Sequence, residues 1–217
     1  SGVEWDAVEL PSQFMENFVW KREALDLFAR HYRTGEALPQ ALLDKMLAAR
    51  DFQAGMFLVR QLEFALFDFR LHLEYEPARG ARTLEILDAV REEVSVIRPP
   101  AWNRSPHAFT HIFSGGYAAG YYSYLWAEVL SADAFAAFED AGLFDADTGA
   151  RYRREVLAIG GSRPALESFV AFRGREPDPA ALLHPREHPR LQHPDTQREQ
   201  HQAEHAGRQH PHHGRIG

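Results

Sequence analysis

Residues 111–126, HIFSGGYAAGYYSYLW, combine one histidine, three glycines and four tyrosines. On a helix that begins at Tyr117, the side chains of Tyr117, Tyr121 and Tyr124 share one face, whereas Tyr122 points away from that row. A phenol can donate a hydrogen bond to a developing oxyanion, and its ring can stack on a peptide. The spacing therefore indicates a surface that binds and polarises a substrate. It leaves open that the rings are core residues whose hydroxyls reach water.

The residues before this row could support the same chemistry. Gly115 and Gly116 let the backbone bend and approach a ligand closely, because glycine has no Cβ. His111 precedes them and is a further hydrogen-bond donor. Together they predict a bend in the backbone beside the row of phenols, where a ligand could approach.

A second polar pattern lies near the start of the chain. Glu9, Gln13 and Glu16 fall at helical spacing on one face of a segment that is otherwise apolar and aromatic. A buried carboxylate is costly unless a cation, a metal or hydrogen bonds offset its charge. The same pattern also fits a solvated stripe whose N-terminal acid is favoured by the helix dipole.

Helical periodicity dominates the chain up to about residue 177, and no internal repeat is visible. Pro11 fits the first turn of the first helix, Thr83 and Ser162 are predicted N-caps, and Gly35 and Gly174 are predicted to end helices. We predict an all-α body with a broken segment at residues 98–109. The predicted helices cover residues 10–33, 39–47, 52–75, 83–98, 117–140, 150–158 and about 162–173.

The composition divides the chain into two parts. We predict a folded body at residues 1–183 and a disordered His/Pro/Gln-rich tail at residues 184–217. Eight of the twelve histidines lie between His184 and His213. A tail of this kind can bind metal, although a tail with no specific role fits the composition as well.

Charge and residue usage exclude several classes of function. The net charge of −7 argues against nucleic acid as a partner, because phosphate binding requires a basic face. The absence of cysteine excludes a disulfide framework and thiol chemistry, and it suits a reducing compartment. No apolar run has the length of a membrane span, and the first residues do not resemble a signal peptide. We therefore expect a cytoplasmic protein without membrane or nucleic-acid partners.

Three separated motifs resemble one known family. VELPSQFMENF, HIFSGGYAAGYYSYLWAEVLSADAF and GGSRPALESFVAFRGREP occur in the order found in the C-terminal part of the thimet oligopeptidase / oligopeptidase A family of zinc peptidases. The resemblance covers about residues 3–183 and is strongest to the bacterial oligopeptidase A branch. It implies the C-terminal helical part of a zincin-like catalytic domain, one zinc ion, short peptides as substrates and a monomer when complete.

The resemblance also implies roles for individual residues. Glu9 opens the family's E-x-P-S-Q motif and would be a zinc ligand, with Glu4 as a weaker candidate. His111 and Tyr124 would polarise the scissile carbonyl and stabilise its oxyanion. The substrate-binding group would comprise Tyr117, Tyr121, Gly115 and Gly116.

The family's HExxH motif, which carries two zinc-binding histidines and the general base, occurs nowhere in these 217 residues. We expect the chain to begin just after the HExxH helix, to need the missing N-terminal part as a partner and to be inactive alone, because catalytic zinc needs three protein ligands. Three alternatives stay open from the sequence: a peptide-binding module without chemistry, a metal-binding protein that acts through its tail, and a purely structural helical domain.

Overall fold

The computed structural model describes residues 2–183, and this part of the chain is built of helices without a β-strand. The all-α prediction is therefore confirmed, whereas the predicted tail at residues 184–217 lies outside the described residues. The α-helices are α1 (Leu10–Glu16), α2 (Arg22–Phe28), α3 (Gln40–Arg50), α4 (Ala54–Leu73), α5 (Thr83–Val94), α6 (Thr110–Phe113), α7 (Ser123–Ala141), α8 (Ala146–Tyr152), α9 (Ala165–Arg173) and α10 (Ala180–Leu183).

The single helix predicted at residues 10–33 is wrong. After α1 the chain forms a 3₁₀ turn at Asn17–Trp20, and Lys21 is extended before α2 begins. Asn17 explains where α1 ends, because its buried side-chain amide donates to the carbonyls of Gln13 and Phe14, each at 3.1 Å. A side-chain amide that bonds to these carbonyls competes with the backbone amides that would otherwise bond to them and continue the helix.

The predicted helix caps were partly wrong. Thr83 is the first residue of α5 rather than its N-cap, and the hydroxyl of Ser162 donates to the carbonyl of Ile159 at 2.8 Å, before α9 begins. Gly35 lies beyond the end of α2 and closes a separate turn with a φ of +71°. Gly174 does end α9, with a left-handed φ of 78° and an amide hydrogen bond to Val170.

One cap was missed. The helix predicted at residues 150–158 begins earlier, at Ala146, because the carboxylate of Asp145 accepts the amide of Thr148 at 2.7 Å. The helix then widens into a π-helical turn at Arg153–Leu157.

Aromatic packing forms the larger of the two hydrophobic cores within residues 2–183. Phe14 of α1 stacks on Tyr152 of α8 with ring centroids 4.0 Å apart, and it also contacts Phe138 of α7. Phe169 and Phe172 of α9 complete this core and are nearly inaccessible to solvent. The core fixes α1 against α7, so the N-terminal Glu9 is held next to the start of α7.

The second core lies between α4, α5 and α6. It buries Phe67, Ile86, Leu87 and Ile112, with Tyr121 packed against it. An ion pair reinforces it, because buried Glu63 of α4 accepts Nε of buried Arg91 of α5 at 2.9 Å. Within residues 2–183, no helix is apolar and long enough to cross a bilayer.

Candidate active site

Glu9 stands at the N-terminus of α1 with its carboxylate partly buried. Its Oε2 accepts the hydroxyl of Ser12 at 2.5 Å, and its Oε1 accepts the hydroxyl of Tyr117. Gln13 also faces this region and donates to the carbonyl of Tyr124 at 3.0 Å, whereas Glu16 is exposed. The predicted polar face of α1 therefore brings Glu9 and Gln13, but not Glu16, against the tyrosine segment.

Glu4, the weaker candidate, lies elsewhere. Its Oε2 accepts the amide of Ala165 at 2.8 Å and so binds the N-terminal end of α9. A carboxylate at a helix N-terminus is stabilised by the free amides and by the helix dipole. This contact gives Glu4 a structural role.

The segment at residues 114–122, which we name the tyrosine loop, is not helical. The helix predicted at residues 117–140 begins only at Ser123. Ala119 has a left-handed φ of +53°, a conformation that a continuing α-helix cannot contain. Tyr117 and Tyr121 therefore do not lie on the face of one helix with Tyr124.

The two predicted glycines shape the start of this loop. The amide of Gly115 donates to the carbonyl of Thr110 at 2.7 Å, and a Cβ at Gly115 would lie 2.9 Å from Cα of His111. Gly116 has a φ of +86°, which glycine adopts without strain. The amide of Tyr117 then donates to the carbonyl of His111 at 2.9 Å, which turns the loop back over the histidine.

The loop nevertheless gathers the predicted rings. Tyr117 and Tyr124 stack with centroids 5.2 Å apart and an interplanar angle of 11°, and Tyr121 lies 5.1 Å from Tyr124. The ring of His111 lies edge-on to all three, at centroid distances of 5.8, 5.7 and 6.0 Å to Tyr117, Tyr121 and Tyr124. We name these four residues the ring cluster.

Tyr122 faces away from the ring cluster, as the spacing predicted. Its hydroxyl donates to Asp6 at 2.5 Å, and its ring stacks on Phe69 at 5.2 Å. The hydrogen bond to Asp6, together with burial, raises the pKa of Tyr122 to about 12.

The phenols of the ring cluster are protonated donors at neutral pH. Burial and the hydrogen bond to Glu9 raise the pKa of Tyr117 far above its ordinary value. Burial is also the main cause that raises the pKa values of Tyr121 and Tyr124, with the nearby Glu9 carboxylate adding to the effect at Tyr124. A protonated phenol can stabilise negative charge that develops on a carbonyl oxygen.

Sequence reasoning missed the residue that holds the tyrosine loop, Asp68 of α4. Its side chain is 1% exposed, and its two oxygens accept the amides of Ala119 and Tyr121, each at 2.9 Å. The signal available in the sequence was an acid within the apolar run FALFDFRL, where an unpaired charge would be costly.

The aromatic wall of the site was also missed in part. Trp5 packs edge-on to Tyr117 with centroids 4.9 Å apart. A Cβ at Gly120 would lie 3.4 Å from two ring atoms of Trp5, so this glycine allows the loop to approach the indole. The hydroxyl of Tyr121 donates to Gln61 at 3.1 Å, which ties the ring cluster to α4.

Residues 2–183 do not make a zinc site by themselves. Glu9 is the only acid that accepts a hydrogen bond from a side chain of the ring cluster in the part of the chain that the structure describes. Among those residues no group of three His, Asp or Glu side chains could hold a metal ion. The hydroxyls and the imidazole of this arrangement are groups that can donate hydrogen bonds to a carbonyl oxygen.

Comparison with known proteins identifies relatives over the whole described body. The model of peptidase family M3 matches residues 1–187. The chain is 58% identical over 183 residues to Oligopeptidase A of Salmonella typhimurium and of Escherichia coli, and 55% identical to that of Haemophilus influenzae.

These alignments cover 84% of this chain and 27% of each relative, so the chain spans about a quarter of the length of the curated relatives it matches. The family resemblance predicted from the three motifs is confirmed. The chain belongs to peptidase family M3.

Proposed function

We propose that residues 1–183 form the C-terminal part of the catalytic domain of a zinc-dependent oligopeptidase that hydrolyses short peptides, with residues 184–217 as a separate tail. The observation that carries the proposal is that the ring cluster packs against Glu9. Four rings with polar atoms and one carboxylate meet there from segments far apart in sequence. The names of the relatives, Oligopeptidase A, support the peptide substrate class. The expected cytoplasmic location stays a prediction.

In this proposal each ring has a task in handling a peptide. Tyr124 and His111 donate hydrogen bonds to the scissile carbonyl and to the oxyanion that forms from it. Tyr117 and Tyr121 bind the substrate backbone, and Gly115 and Gly116 give the loop the freedom to close over it.

Glu9 would contribute one zinc ligand, and two histidines would have to come from outside these residues, because the sequence contains no HExxH. The chain alone is therefore inactive in this proposal, and its partner is a segment that carries HExxH. Exposed apolar side chains are available to such a partner on α2 and α4, where Leu27 is 72% and Phe57 is 61% exposed. Exposed apolar side chains are typical of interaction surfaces where they cluster.

The first experiment reads the DNA upstream of the codon for Ser1 and expresses the longest continuous reading frame. If an in-frame HExxH is present, the purified product should bind one zinc ion and cleave a short quenched-fluorescent peptide, whereas the 217-residue chain should do neither. Zinc-dependent cleavage by the 217-residue chain would contradict the proposal that two of the zinc ligands come from outside these residues. An uninterrupted frame whose product has no peptidase activity would contradict the proposed function.

Two matched variants test the role of the phenols in the active product. Tyr124→Phe removes a proposed oxyanion donor and should lower kcat by about 10²–10³. Tyr122→Phe removes the neighbouring phenol that points to Asp6, and it should leave kcat within about twofold. Equal kcat values for the two variants would contradict the role of Tyr124.

A peptide-binding module without chemistry is the second candidate. One observation favours it. The ring cluster is assembled, but the described residues contain no group of three side chains that could hold a metal ion. Calorimetric titration of the 217-residue chain with a short peptide separates the two. Tight binding without turnover, and with no HExxH encoded upstream, would support the module.

A further inference from the structure

The tyrosine loop lacks the regular backbone pairing of a helix or a strand. Between Ser114 and Ser123 its backbone contacts are single turns, and Ala119 occupies the left-handed region without being a glycine. A loop of this kind is held in one conformation by partners outside its own backbone, because it has no ladder of backbone hydrogen bonds. Asp68 is such a partner, through Ala119 and Tyr121 on either side of Gly120.

The carboxylate of Asp68 is itself held in place. It stands on α4 beside Phe67, which is 2% exposed in the second core. One turn further along, Nδ1 of His72 lies 3.0 Å from Oδ1 of Asp68 and 2.8 Å from its backbone carbonyl. Since both neighbours are acceptors, Nδ1 carries the proton and donates to Asp68.

We propose that Asp68 is a positioning residue that fixes the tyrosine loop through the amides of Ala119 and Tyr121, and that His72 orients its carboxylate. Within the described residues no hydrogen bond joins the side chain of Asp68 to any of the four rings, so we assign it an action through the loop backbone and not on the substrate. Its effect on catalysis rests on the proposed function, whereas its effect on the loop does not.

The geometry predicts which rings depend on Asp68. Tyr117 and Tyr121 belong to the loop, whereas Tyr124 lies within α7 and is anchored there by Gln13. Loss of Asp68 should therefore displace the proposed substrate-binding phenols more than the proposed oxyanion donor. The consequence is a rise in KM rather than a fall in kcat.

The first test needs no activity and uses the 217-residue chain. Asp68→Asn keeps the shape of the side chain but replaces one acceptor oxygen with a donor that faces an amide. Amide hydrogen exchange should accelerate by at least about tenfold at Ala119 and Tyr121, and change little in the middle of α7. Unchanged exchange at these two amides would overturn the proposal.

Asp133→Asn is the matched control. Asp133 is also a fully buried carboxylate that accepts a backbone amide, but it binds Asp178 beyond the end of α9. Although this variant should lower the global stability, the loop amides exchange by local opening, so it should leave exchange at Ala119 and Tyr121 unchanged. Equal acceleration in both variants would mean a general loss of stability and would overturn the specific role of Asp68.

A surface variant keeps the test decisive if Asp68→Asn does not fold. The side chain of His72 is 33% exposed, so its replacement is tolerated more easily. His72→Ala should accelerate exchange at the two amides, and His72→Asn, whose side-chain amide can replace Nδ1–H, should restore protection. No difference between these two variants would overturn the role of His72.

The second test uses the active protein that contains the HExxH segment. Asp68→Asn should lower kcat/KM for the short peptide by about tenfold or more, mainly through KM, with an unchanged zinc content. A kcat/KM equal to that of Asp133→Asn would overturn the proposal. If the wild-type protein does not cleave peptides, the proposed function fails, and the exchange measurements alone decide the role of Asp68.

Discussion

Asp68 and Asp133 are both buried aspartates on long helices, and they are bound in different ways. Asp133 of α7 accepts Arg173 at 3.0 Å and two nitrogens of Arg175 at 2.6 Å each. Asp68 accepts backbone amides and a histidine, with no arginine partner among the described residues.

The difference shows two uses of a buried charge. Two guanidinium groups neutralise Asp133 and tie the end of α9 to α7, so this carboxylate stabilises the body of the structure. The backbone amides carry only partial charges, but each N–H must point at the carboxylate to form its hydrogen bond. Asp68 therefore sets the conformation of a loop. We expect mutations near Asp133 to change global stability and mutations near Asp68 to change local order.

The largest expected effect is at Asp133. Asp133→Ala leaves Arg173 and Arg175 without their carboxylate and should lower the free energy of unfolding by about 3 kcal/mol, as for other broken buried ion pairs. Urea denaturation followed by circular dichroism measures this. Asp140→Ala, at an exposed acid of the same helix, should change it by less than about 0.5 kcal/mol. If Asp133→Ala lowered the free energy of unfolding as little as Asp140→Ala, the distinction between the surroundings of Asp133 and of Asp68 would be contradicted.

Lowering the pH should remove part of the stabilisation that the Asp133 carboxylate provides. Burial alone would raise the pKa of Asp133, but hydrogen bonds from Arg175 and the Asp178 amide, with the charges of both arginines, lower it overall. Because the pKa is lower in the folded state than the value of about 3.9 in the unfolded state, the stabilisation is complete above that value. It is lost as the pH falls through the folded-state pKa.

Denaturation of wild type and Asp133→Asn at several pH values tests this sign. The difference in unfolding free energy should be constant from about pH 7 to pH 5 and should shrink below about pH 4. A difference that grows on acidification would show that the carboxylate is not held in its charged form.

A smaller effect is expected in the tyrosine loop. Gly116→Ala places a Cβ on a residue with a φ of +86°, which should cost about 1–2 kcal/mol of local strain. Near-ultraviolet circular dichroism should report a changed environment of the tyrosines, while the helical signal is retained. An unaltered tyrosine signal would show that the loop does not require this backbone conformation.

The smallest effect has the opposite sign and lies in the body. Gly149 is within α8, and a Cβ there would meet no atom within 4 Å. Gly149→Ala should raise the free energy of unfolding by about 0.5–1 kcal/mol, because alanine loses less backbone entropy in a helix. A destabilised Gly149→Ala protein would show that this glycine, like Gly116, is required by the structure.

The all-α class and the identity of the ring cluster could be predicted from the sequence. Helical periodicity is a local property, so the positions of α3, α4 and α5 were predicted to within a few residues. The glycines and tyrosines of HIFSGGYAAGYYSYLW stand next to one another in the chain, and their types alone indicated a bend at the glycines followed by phenolic donors.

The position of those phenols was decided by tertiary structure. A helix beginning at Tyr117 satisfied the local pattern, but the carboxylate of Asp68, distant in sequence, takes the amides of Ala119 and Tyr121 and excludes that helix. The break after α1 has a similar cause, since buried Asn17 donates to the last carbonyls of α1 and to Ser131 of α7 at 2.9 Å.

The sequence by itself thus determined which residue types are available and which segments favour helix, because these depend on near neighbours in the chain. Only the tertiary structure decided that Glu9 meets Tyr117 and that Asp68 meets the loop. The physical reason is that a buried polar group bonds to whichever partner the packing of α1, α4 and α7 brings close to it. The spacing of residues along the chain does not tell which polar groups will be close in space.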